Sequence, residues 1–164
     1  MADEKDFLLH MIQEQWAQAR QSENQRATLS NFIIVIASAI TAFLVKIKPG
    51  KEGISLSIFL IFLGAFGALI CAKLYERFYL HVQRIGRMME RLDQLFPNAQ
   101  VCHLEEIADK RHKKRFRITS KIRIHCLWMI IHITIMVIGL VCTYVLLTQD
   151  NFIGAVTKQL PLCW

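Results

Sequence analysis

The densest chemistry in the chain is a run of cations, KRHKKRFR. Lys110, Arg111, Lys113, Lys114, Arg115 and Arg117 fall within eight residues. That is enough positive charge to meet several phosphates at once, and Phe116 among them offers a ring on which a base could stack. The same charges beside a membrane would attract an anionic inner leaflet by about 1 kcal/mol each and would orient the chain with no other ligand. On the residues alone, two readings stand: a nucleotide or oligonucleotide site, or a lipid and topology device.

A second candidate is a single ionisable side chain in an apolar setting. His132 sits inside CLWMIIHITIMVIGLVCTYVLL, Cys126 to Leu147, on one helical face with His125, Met136, Gly139 and Thr143. Ionisable groups within a membrane face protein or water. His132 is therefore either a neutral imidazole bonded to a carbonyl of a neighbouring helix, or it lines a pore with Met136 and Thr143, where its protonation alters conduction. Gly64, Ala68 and Ala72 recur every four residues on one apolar run, and Ser38 with Ala42 repeats the spacing on another. Such steps let helices approach closely, either within a hairpin or between subunits.

Signs of an enzyme are missing. A small three-span layout with an N-terminal amphipathic helix is similar to bacterial diacylglycerol kinase, whose chemistry needs acidic groups at the membrane to hold magnesium on a nucleotide. No Asp or Glu interrupts the apolar runs here, and no Gly-rich phosphate loop or nucleophile with a base is present. Glu76, Glu90, Asp93, Glu105, Glu106 and Asp109 read as surface charges on amphipathic helices. The five cysteines form no CxxC pair, and Cys102 beside His103 lacks further ligands at useful spacing. No catalytic residue, metal site, cofactor or disulfide framework is expected.

The elements that must position these groups follow from hydrocarbon length. A bilayer core about 30 Å thick takes about 20 apolar residues of helix. Residues 27–47, 54–74 and 125–148 each meet that requirement; FIIVIASAITAFLV and ISLSIFLIFLGAFGALICA carry no charge. The expected fold class is all-α, an integral membrane protein with three transmembrane helices. Because the chain opens with MADEKD and not with a basic region feeding an apolar core, the first span is expected to be retained.

Residues 1–26 repeat Leu8, Ile12, Trp16 and Ala19 at helical spacing, widened by Phe7 and Met11, with no Gly or Pro before the first span. One long helix entering the membrane is predicted. KPGKEG, Lys48 to Gly53, reads as the turn of a hairpin, 27–74. The second span continues as a helical stalk through Phe78, Val82, Ile85, Met89, Leu92 and Phe96, roughly 30 Å long, until Pro97 and Asn98. Its apolar stripe needs cover, and the N-terminal helix of the same chain or of a neighbour is the expected partner. A short amphipathic helix with Val101, Leu104 and Ile107 precedes the basic loop, completing a segment 75–124. The tail, 149–164, carries Phe152, Ile153, Leu160, Leu162 and Trp164, which suit an outer interface.

Lys and Arg concentrate between the second and third spans, whereas Lys46, Lys48 and Lys51 alone mark the first hairpin and Lys158 alone follows the third span. The positive-inside rule places 75–124 and the N-terminus in the cytoplasm and the C-terminus outside.

The helix LLHMIQEQWAQARQSENQRATLSN running straight into FIIVIASAITAFLV, the hairpin at KPGKEG, and a second span continuing as a stalk resemble the SLATT family of small bacterial membrane effectors in anti-phage defence. The likeness covers roughly Asp3 to Leu95. The third span at Cys126 to Leu147 exceeds the two-helix hairpin typical of that family. The resemblance implies a homo-oligomeric, pore-forming protein of the bacterial inner membrane. By the same resemblance it forms a pore or otherwise disrupts the membrane, held closed until a partner enzyme's nucleotide product or another infection cue opens it, depolarising the membrane and arresting growth. The competing expectation is a non-conducting anchor or adaptor that holds a soluble cytoplasmic partner on the stripe from Phe78 to Phe96.

Overall fold

A computed structural model describes the backbone of residues 2–46, 50 and 51–159, and the side chains of residues 4–46, 50 and 52–149. Four α-helices account for nearly all of it: α1 (Ala2–Leu44), α2 (Lys51–Leu95), α3 (Val101–Arg115) and α4 (Ile124–Gln159), with one 3-10 turn at Thr119–Lys121. No strand occurs among the described residues. Three helices are long and apolar enough to cross a membrane, over Glu4–Leu44, Glu52–Leu95 and Ile124–Gln149.

Helix boundaries follow local chemistry. α1 contains no Gly or Pro and runs unbroken, as its sequence requires. α2 ends at Leu95 because Pro97 disfavours helical geometry at the residue before it; a turn closed by Ala99 N–H on the Phe96 carbonyl (2.9 Å) follows. The connection between α1 and α2 lies about three residues earlier than expected, since α1 ends at Leu44, Lys51, Glu52 and Gly53 already belong to α2, and Ile54 N–H bonds back to Gly50 (3.2 Å). Lys48 and Pro49 lie outside the described residues, as do the side chains of Lys51, Lys158 and the outer-tail residues Phe152, Ile153, Leu160, Leu162 and Trp164. The backbone of that tail is helical up to Gln159.

The chain forms two compact units. The first comprises residues Met1–Ala27 and Cys71–Leu127. In it α1 and α2 pair antiparallel, since Glu4 meets Arg91 (2.9 Å) and Gln15 meets His81 (2.7 Å). The N-terminal helix of the same chain thus covers the stripe on α2, where Ile85 is buried and Phe78, Val82, Met89 and Leu92 are half-buried.

On α1 the apolar stripe is displaced. Its buried positions are Ile12, Gln15, Ala19, Ser22 and Arg26, spaced three and four apart as in a coiled-coil seam, while Phe7 is 62% exposed and Trp16 lies on the outer face. A polar edge of the helix faces α2. Gln15 finds His81 across the seam, while within α1 Ser22 Oγ donates to the Gln18 carbonyl (3.1 Å) and Arg26 reaches Glu23 (3.4 Å).

The second unit, residues Thr28–Ile70 and Trp128–Trp164, packs parts of α1, α2 and α4 around Ile33, Ala37, Leu60 and Ile135, with Ile34, Ile40, Leu63 and Ile131 against them. α2 and α4 run antiparallel at very close range. A Cβ added at Gly64 would lie 2.6 Å from the Met136 nitrogen and 2.8 Å from the His132 carbonyl oxygen. Only glycine fits there. Outward-facing Phe32, Val35, Phe43, Phe59, Phe62, Phe66 and Leu69 are exposed, the pattern of a helical bundle whose solvent is lipid.

Candidate functional site

The basic residues are held by α3, and α3 is held by an acid. Asp93, on α2, accepts hydrogen bonds from the backbone N–H groups of Val101 and Cys102 (2.8 Å each), capping the first turn of α3 from eight and nine residues away. Those donors, Cys102 first, hold the Asp93 carboxyl below its ordinary range, and the bond to Asp93, with burial, pushes the Cys102 thiol up. The sequence reading of Asp93 as a plain surface charge is corrected: it anchors α3. Gln100, with φ 48 and ψ 38, makes the left-handed step into the helix.

Asp93, Cys102, His103 and Glu106 line one recess, but among the described residues no three His, Cys, Asp or Glu side chains are placed to hold a metal ion.

The basic block begins on this helix and not in a loop. Lys110, Arg111, Lys113, Lys114 and Arg115 occupy its last turns, where His112 to Arg115 face the negative end of the helix dipole. No residue of α3 is buried, and Leu104 is 61% exposed, so the amphipathic reading of α3 does not correspond to a packed face. Lys110 pairs with Glu106 (2.7 Å) and Lys113 with Asp109 (4.0 Å). Arg111, Lys114, Arg115 and Arg117 have no carboxylate within ion-pair distance among the described residues. The Phe116 ring is already flanked by its own chain: the Arg115 guanidinium lies 5.6 Å from its centre and the His112 ring 4.9 Å.

In the second unit His132 is fully buried, and its Nε2 lies 3.1 Å from the Ser30 hydroxyl of α1. On α1 it thus meets a hydroxyl. Gly67 on α2 leaves the space that the ring fills. Thr143 Oγ1 donates to Ser57 Oγ (2.8 Å), and Ser57 donates onward to the Ile54 carbonyl (2.8 Å). His132, half-buried Met136 and Thr143 share the face turned towards the other helices of their own chain. Gly64 sits at the α2–α4 contact, Ala68 and Ala72 are half-buried, and Ser38 and Ala42 are exposed on α1. Ser38 and Ala42 line a lateral groove of about 690 Å³ with Ile34, Leu60, Ile131 and Ile135.

Set against protein-family models, curated proteins and solved structures, the chain matches none. Its own residues must carry the functional reading. They offer two assets: cations without carboxylate partners on an element fastened to α2, and an apolar bundle that pairs Ser30 with His132 and Ser57 with Thr143 across its helices. Sequence reasoning missed Asp93, Gln15, His81 and Ser30. The signal for His81 was its position between Phe78 and Ile85 on the buried period of α2; for the other three, partners distant in sequence define the role.

Proposed function

We propose that the chain is a homo-oligomeric membrane effector of bacterial anti-phage defence, an ion channel or pore gated by an anionic nucleotide or oligonucleotide. The observation that carries this reading is the set Arg111, Lys114 and Arg115 on a helix tied by Asp93 to α2, with Arg117 two residues past its end, all exposed and, among the described residues, without carboxylate partners. α2 is itself one uninterrupted helix, Lys51–Leu95, that includes a candidate span. Phosphate oxygens bound by the cluster would load α3, and through Asp93 the end of α2. The ligand opens the path to the extent that it binds the open arrangement more tightly than the closed one.

The charge distribution supports an inner-membrane orientation with residues 75–124 and the N-terminus in the cytoplasm and the C-terminus outside. The likeness to SLATT effectors supplies the biological setting and the partner enzyme as source of the signal. The adaptor alternative loses support because its docking stripe on α2 is occupied by α1 of the same chain.

The test is ion flux from liposomes holding the purified full-length protein, with cyclic nucleotides, linear oligonucleotides and single-stranded DNA added in turn. Flux with one of these, lost in Arg115→Glu/Arg117→Glu, is the expected outcome. No flux with any of them would count against gating by an anionic signal.

A further inference from the structure

The segment joining α3 to α4 has a pattern of which the nucleotide reading uses only Phe116 and Arg117. In FRITSKIRI, Phe116 to Ile124, the apolar Phe116, Ile118, Ile122 and Ile124 interleave with Arg117, Lys121 and Arg123. None of these residues is buried: Ile118 is 79% exposed, Ile124 62% and Ile122 53%. Burying each isoleucine would be favourable by roughly 1.5–3 kcal/mol, so three unpacked side chains together call for an apolar phase. Neither Asp nor Glu occurs from Lys110 to Gln149, so the phase must also accept uncompensated positive charge.

Two further features say what that phase is. Ile124 is the first residue of α4, a candidate span, and Ile118 is only six residues earlier, at most about 20 Å of chain. The segment is therefore tethered at membrane level. Part of its backbone is also closed on itself: Ser120 N–H bonds Phe116 O (2.9 Å), Lys121 N–H bonds Ile118 O (3.1 Å) and Ile122 N–H bonds Thr119 O (3.1 Å). Each donor closed in this way lowers the cost of entering a poorly hydrated layer. A nucleic acid supplies phosphates but no aliphatic layer, whereas a phospholipid leaflet supplies both.

We infer that residues 116–124 dock on an anionic phospholipid leaflet, with Phe116, Ile118 and Ile122 inserted below the headgroups and Arg117, Lys121 and Arg123 on lipid phosphates. This surface shares Arg117 with the proposed nucleotide site, but its isoleucines, Lys121 and Arg123 lie outside that site, and the inference stands whether or not α3 takes a nucleotide.

The experiment is hydrogen–deuterium exchange on the full-length protein in nanodiscs of phosphatidylcholine alone or mixed with phosphatidylglycerol, reading peptides over residues 116–124. Exchange about tenfold slower in the anionic discs is expected, since little more than one headgroup contact at about 1 kcal/mol supplies it. The gain should disappear in Ile118→Ser/Ile122→Ser, which keeps every charge and alters only exposed positions. Equal exchange in both discs overturns the inference. Slowing that survives the serine pair overturns insertion and leaves charge alone. Protection by added oligonucleotide in phosphatidylcholine discs, with none from phosphatidylglycerol, overturns it in favour of a nucleic-acid surface.

Discussion

The two compact units solve the same problem, holding long helices together, in opposite ways. Residues Met1–Ala27 and Cys71–Leu127 put Gln15, Ser22, Arg26 and His81 into the helix seam. Residues Thr28–Ile70 and Trp128–Trp164 put isoleucine, alanine and leucine at the centre and admit polar groups in two small sets, Ser30 with His132 and Ser57 with Thr143. In water, apolar seams drive association unaided, and a buried Gln–His pair adds register at a cost in strength. In lipid, tails are as apolar as leucine, so association rests on close packing and a few hydrogen bonds. The contrast is the one expected if residues 28–70 and 128–164 have hydrocarbon for solvent and residues 1–27 and 71–127 have water, as proposed.

Replacing Gly64 by Leu should break the second unit most severely. The side chain would run into backbone atoms of α4 that have nowhere to go, with a cost of about 3 kcal/mol or more. Reversible unfolding in bicelles should show the loss, while α1 and α2 in the first unit keep their protection against amide exchange.

The Ser30–His132 contact is expected to contribute less. A double-mutant cycle with Ser30→Ala and His132→Leu should return a coupling of about 1 kcal/mol, in the range known for hydrogen bonds between membrane helices. A coupling near zero would show that packing alone fixes the ring.

In the first unit acidification is the probe. Burial, with Arg84 and Arg77 nearby, pushes the His81 imidazole below its ordinary value of 6.5. Above pH 6.5 both folded and unfolded chains keep it neutral. As pH falls below that, the unfolded chain takes up the proton first, so the seam loses stability down to the lowered value and no further. Protection factors along residues 8–26, taken against the intrinsic exchange rate at each pH, should therefore fall between pH 7 and pH 5. The slope should vanish in His81→Gln, and the second unit should show no such slope from this group.

The smallest effect belongs to the ion pair between Glu4 and Arg91, both roughly half-exposed. Glu4→Gln should cost about 0.5 kcal/mol or less, an effect erased by salt.

What the sequence revealed and what it hid divide along the same line. Spans are legible because hydrocarbon tolerates neither charge nor a short segment, and the α2 stripe is legible because Phe78, Ile85 and Leu92 share one period. The face of α1 that packs was legible in part: Ile12 and Ala19 lie in the seam as their spacing predicts, whereas Phe7 and Trp16 stay exposed and Gln15, Ser22 and Arg26 take the other seam positions. Gln15 and its partner His81 lie 66 residues apart. Asp93 was hidden for a related reason: a cap is normally sought beside its helix, and this one reaches across the Pro97 turn. The basic block was legible as composition, but its division into helical α3 cations and a following Ile-rich segment became visible only with exposure known.

The central claim, that one unit lies in hydrocarbon and the other in water, can be read from spin labels in reconstituted bilayers. In a cysteine-free background, labels at Phe62→Cys and Arg111→Cys report collisions with oxygen, which concentrates in lipid, and with a water-soluble nickel chelate. Phe62, 68% exposed and facing outward, should favour oxygen strongly, whereas Arg111 should favour nickel. Equal nickel access at both positions would contradict the account.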